Sequence, residues 1–127
     1  MIEKTVMILI DCSGKVAREN QKLKAFGILL ENWLEGVVSE GIISKYYDLD
    51  LDLGSEGGTN YEGTMDIDDP SKVTFKVEAE DGKSVDLLVE KIIKTMPDWE
   101  NKVEGLYFWW NTEQYTEGVW AYDKDYN

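Results

Sequence analysis

The residue pattern predicts one α+β domain spanning residues 1–127, with two helices on an antiparallel or mixed sheet of about six strands. Three observations carry this expectation. Val6-Met7-Ile8-Leu9-Ile10 is a continuous β-favouring run, as in a central strand covered on both faces. Two apolar stripes recur at helical spacing: Leu23, Phe26, Leu30, Trp33, Leu34 and Val37, then Val85, Leu88, Val89, Ile92 and Met96. Between and after them lie segments that alternate apolar and polar residues with period two, which half-buried strands require.

After the first strand, the helical period begins near Lys15, with Ser13 placed to cap it, and Gly36 and Gly41 bracket its end. Tyr47, Leu49, Leu51 and Leu53 then alternate with Tyr46, Asp48, Asp50 and Asp52, so the tyrosine and leucines face inward and the carboxylates outward. Gly54-Ser55-Glu56-Gly57-Gly58 reads as a loop. Tyr61, Gly63, Met65 and Ile67, alternating with Glu62, Thr64, Asp66 and Asp68, read as the return strand of an antiparallel hairpin. A turn at Asp69-Pro70-Ser71 leads to a third strand in this meander, with Val73, Phe75 and Val77 inward and Lys72, Thr74, Lys76 and Glu78 outward.

Asp81-Gly82-Lys83-Ser84 opens the second helix, and Pro97 is expected to stop it. A final hairpin with a four-residue loop at Thr112 to Tyr115 sets Phe108 against Val119 and Leu106 against Ala121. Tyr107, Trp109, Trp120 and Tyr122 then share the opposite face. The predicted order is β-α-β-β-β-α-β-β, which resembles a variant of the ferredoxin-like arrangement.

Composition narrows the function classes. An apolar share of 43%, with five Trp, seven Tyr and three Phe, supplies enough core for a folded chain despite a formal charge of -13. Cys12 is the single cysteine and histidine is absent, so no internal disulfide and no common zinc site can be built, and the cytoplasm is the expected compartment. The apolar run Val6–Ile10 is too short for a signal-peptide core, and no segment has the roughly 20 apolar residues of a membrane span. With 26 acidic against 13 basic residues, the mean field repels nucleic acid and anionic membranes and attracts basic proteins.

Asp48, Asp50 and Asp52 have the spacing that opens an EF-hand loop, but Leu53 stands where the sharp turn needs Gly and Thr59 where a bidentate Glu is needed. No cofactor or metal is therefore expected. Asp11-Cys12-Ser13-Gly14-Lys15 sits at a strand-to-helix turn but lacks the phosphate-loop pattern. It begins like the metal site of von Willebrand factor A domains, a resemblance that ends at Lys15, which stands where a second Ser is required. Lys15, Arg18 and Lys22 share a helical face that reads as solvated. Cys12 has no histidine to activate it, and the carboxylates sit on an outward strand face where nothing raises a pKa for acid catalysis, so no enzyme is expected.

The remaining reading is a protein-binding inhibitor. Asp48, Asp50, Asp52, Glu62, Asp66 and Asp68 supply the charge, and the aromatics Tyr107, Trp109, Trp120 and Tyr122 supply a desolvated centre. The biological type this implies is an immunity protein that occludes a basic, nucleic-acid-acting toxin, secreted or delivered by contact. The alternatives are a phage-type inhibitor of a nucleic-acid enzyme and a small-ligand domain with a pocket near Ser13–Lys15.

Overall fold

The computed structural model describes residues 1–10, 17–53, 71–106, 108 and 118–123. Six elements follow in the order β1 (Ile2–Ile10), α1 (Ala17–Ser39), β2 (Lys45–Asp52), β3 (Ser71–Ala79), α2 (Gly82–Lys102) and β4 (Val119–Asp123). The strands form one sheet in the order β2-β3-β1-β4, and every neighbouring pair is antiparallel. It follows that β1 and β2 run the same way with β3 between them, and β3 and β4 the same way with β1 between them. Two split β-α-β units are thus interleaved.

Both helices cover one face. Val6, Ile8 and Ile10 of β1 and Val73, Phe75, Val77 and Ala79 of β3 are fully buried there, in one cluster with Leu23, Phe26, Leu30 and Leu34 of α1 and Leu88, Ile92 and Met96 of α2. Burying seven such strand residues on alternate positions selects the register, because a one-residue slip would turn them all to the opposite side. Phe26, Trp99 and Phe108 meet at its centre, Phe26 lying edge-on to the other two at 5.3 and 5.1 Å.

The helix ends have local causes. Gly41, at φ 83, closes α1: its N–H donates to Val38 O and that of Ile42 to Val37 O, the paired bonds of a Schellman motif. At the start of α2, Asp81 accepts from the Ser84 N–H at 3.0 Å. Gly105, at φ 82, turns the chain after α2, and a Cβ there would stand 2.5 Å from Lys22 Nζ.

Several expectations are corrected. The described residues form four strands, not about six, in the order β-α-β-β-α-β. The strand expected over 61–68 lies outside the described residues, as do Ser13 and Lys15. The closing hairpin is not the pairing found: Val119 and Trp120 pair with Ile8 and Met7 of β1, and Phe108 makes a single bridge to Ile10. Parity specifies the face a residue takes but not the strand beside it, and β1 offers the partner that sets Val119 and Ala121 over the same core.

Pro97 does not stop the second helix, which runs on to Lys102. Beyond the proline, Trp99 is buried against Phe26 and Trp33, and this packing holds the last turn in place. Tyr47 does not share the inward face with Leu51. Between Tyr47 and Asp50 the register shifts, three steps on β2 opposing two on β3. The extra residue is a β-bulge with Asp48 at φ 55, a conformation that Asp tolerates better than most residues. Tyr46 consequently packs toward the helices, and Tyr47 turns to the other side.

Candidate functional site

The second face of the sheet carries no helix among the described residues, and the strand registers define its rows. One row is Lys45, Glu78 and Glu3; the next is Tyr47, Lys76, Thr5 and Tyr122; the third is Asp50, Thr74, Met7 and Trp120; the fourth is Asp52, Lys72 and Leu9. Read across the rows, this face divides in two. The β2–β3 half, with Glu3 of β1 beside it, is ionic, whereas the rest of the β1–β4 half carries the buried Thr5 and the partly exposed Met7, Leu9, Trp120 and Tyr122.

On the ionic half, Lys45 Nζ lies 2.9 Å from Glu78, Lys76 Nζ 3.5 Å from Asp48 and Lys72 Nζ 3.8 Å from Asp52. These are cross-strand opposite-charge pairs, and they relieve the repulsion that a run of like charges would create. Asp48 and Asp52 remain 64% and 58% exposed, so the pairs leave carboxylate surface facing solvent. Asp50, opposite Thr74, has no ion pair among the described residues. Lys45 also lies 5.1 Å from the centre of the Tyr47 ring. A hydrogen bond to the Glu3 carboxylate, aided by partial burial, pushes the Tyr47 hydroxyl up to about 12.

The connection from β2 to β3 is acidic in sequence. Residues 53–70 contain Glu56, Glu62, Asp66, Asp68 and Asp69 and no basic residue. They join the sheet where Asp52 pairs with Lys72.

Of the residues singled out from sequence, Asp48, Asp50 and Asp52 are exposed on β2, and Trp120 and Tyr122 are half-buried on the helix-free side of β4. The sheet brings Asp50 and Trp120 into one row, about 14 Å apart across three strand spacings. Glu62, Asp66, Asp68, Tyr107 and Trp109 lie outside the described residues. Sequence reasoning missed Tyr47, Met7, Lys45 and Glu3 as members of this face. For Met7 there was no signal in the sequence: the all-apolar run Val6–Ile10 predicts cover on both faces, whereas Met7 and Leu9 are only half-buried on a side that carries no described helix; for Tyr47 the signal was hidden by the bulge.

A second feature is an open depression of about 460 Å³ between α1 and the turn after α2, lined by Gln21, Lys22, Ala25, Val103, Glu104 and Gly105. It is open rather than enclosed, unlike a pocket that buries most of a small ligand. Among the described residues no three acidic or sulfur-bearing side chains are grouped to hold a metal ion. No described helix is long and apolar enough to cross a membrane. No protein-family model matches the chain, no curated protein is significantly similar to it, and no solved structure matches it.

Proposed function

We propose that the chain is a non-enzymatic binding protein that occludes a basic, nucleic-acid-acting protein, in the manner of an immunity protein against a toxin. The observation that supports this reading most is the helix-free face, where an exposed carboxylate strand adjoins an aromatic half on the same rigid sheet. A net charge of -13 favours encounter with a cationic surface and opposes binding to nucleic acid or to another copy of the chain. The connectivity is that of a ferredoxin-like sandwich, a scaffold with many unrelated roles, so the fold adds nothing to the functional argument. Asp48, Asp50 and Asp52, with Glu62, Asp66 and Asp68 on the following connection, supply the attraction in this reading.

Affinity capture from the native host at low and high salt tests it. The expected result is retention of a basic protein at low ionic strength, release as salt rises, and weakened capture by Asp50→Lys. Capture of no basic protein, or retention indifferent to both salt and charge reversal, contradicts it.

A further inference from the structure

We infer that the energetic centre of this contact is the Met7–Trp120 half of the face, and that the β2 carboxylates govern encounter rather than hold the complex; this rests on the binding function proposed above. Trp120 is paired with Met7 across β1 and β4, with Leu9 and Tyr122 on the same side, and all four are partly exposed. The rigid indole of Trp120 beside the adaptable thioether of Met7, on a side of the sheet that carries no described helix, is the kind of surface that anchors a protein contact, because the indole offers much apolar area at little conformational cost and the thioether fits itself to the partner.

The ionic half is less suited to that role. Asp48 and Asp52 already have lysine neighbours, so an incoming cation gains only what it takes from Lys76 and Lys72. Ion contacts at such exposed positions are screened and individually weak. They act over distance instead, raising the association rate of a basic partner.

The occupant is therefore a basic protein that sets an apolar or arginine-bearing patch against Trp120 while its cationic rim lies over β2. Charge complementarity selects it: a second copy would bring another -13, and nucleic acid would be repelled as well.

Site-specific photo-cross-linking of the full chain in its native host tests this, with the photoreactive residue placed at position 120 or, on the outer side of α2, at the exposed Leu87. An adduct between position 120 and a basic protein, with none from position 87, supports the inference. Trp120→Ala should then lower capture of that protein at least about tenfold through faster dissociation, while Asp50→Asn slows association and leaves dissociation unchanged. Trp120→Leu serves in its place if the alanine variant does not fold, as judged by circular dichroism. Equal capture by wild type and the Trp120 variants overturns this inference and leaves the proposed function standing. Adducts from position 87 alone overturn it too, as does a dimer of the chain cross-linked through position 120. Absence of a basic adduct from position 120 overturns this inference, and failure to capture any basic protein removes the proposed function as well.

Discussion

The two faces of the sheet are built from alternate residues of the same strands, yet they follow different rules. On β3, Val73, Phe75 and Val77 are wholly buried beneath the helices, while Lys72, Thr74 and Lys76 between them are half-exposed on the other side. The covered face is apolar except for the buried Ser71 and carries the stability of the fold. The other face, which carries no described helix, is held by cross-strand pairs of a few tenths of a kcal/mol to about 1 kcal/mol each, and its side chains, apart from the buried Thr5, are half-buried or exposed. In the proposed reading, stability and binding are thus separable by residue parity.

The largest expected effect tests that separation directly. Phe75→Ala should cost about 3–5 kcal/mol in urea unfolding, because a fully buried ring leaves a cavity. Its neighbour Thr74→Ala should change stability by about 0.5 kcal/mol or less. Comparable losses at the two positions would mean that the second face is also packed as core.

Next in size is the bulge that sends Tyr46 and Tyr47 to opposite faces. Asp48→Val places a β-branched residue at φ 55 and should cost about 1–2 kcal/mol, whereas Asp48→Gly relieves the backbone and should be close to neutral. A valine variant as stable as wild type would argue against the bulge. Lys76→Ala should have a smaller effect, about 0–1 kcal/mol at low salt and vanishing as salt rises, since its pair with Asp48 is loose and solvent-facing.

The smallest effect separates the faces by cause. Tyr46 is pushed up to about 12 first by burial and then by its hydrogen bond to Glu35. Tyr47 reaches about 12 chiefly through its bond to Glu3. For both, the unfolded chain ionises near the ordinary value of 10 while the fold keeps the hydroxyl neutral. Stability is therefore undiminished by these groups below about pH 10 and falls between about pH 10 and 12. Ultraviolet titration should show late ionisation that Tyr46→Phe and Tyr47→Phe each reduce by one tyrosine. Glu3→Gln should lower the Tyr47 midpoint and leave that of Tyr46 in place.

Much of this organisation was legible in the sequence because burial imposes periods. The stripe Leu23, Phe26, Leu30, Leu34 and Val37 lies buried on α1 as its spacing required, and Val73, Phe75 and Val77 face the core on β3. What escaped prediction lies where a local rule yields to tertiary packing. Pro97 breaks an isolated helix, but Trp99 in the aromatic cluster carries α2 past it. Strict alternation placed Tyr47 with the leucines, but one inserted residue at Asp48 reverses parity within β2. Val119 was assigned the correct face and the wrong neighbour, since strand pairing depends on which edge of β1 is vacant. Of the candidate site, periodicity turned Asp50 and Asp52 outward but left open which face Trp120 takes, and the sheet register sets all three on one side. The lysines that neutralise part of it were anticipated on β3, and the apolar row from Met7 to Trp120 emerged only from the sheet order.

The central claim is that the helix-free face is the contact surface, and solvent-accessibility footprinting of the chain alone and with its captured basic partner tests it most directly. The account predicts protection at Met7, Tyr47 and Trp120 on binding, with Ile28 and Leu87 on the outer sides of the helices as reactive as before. Protection at Ile28 or Leu87 with an unchanged sheet face would contradict it.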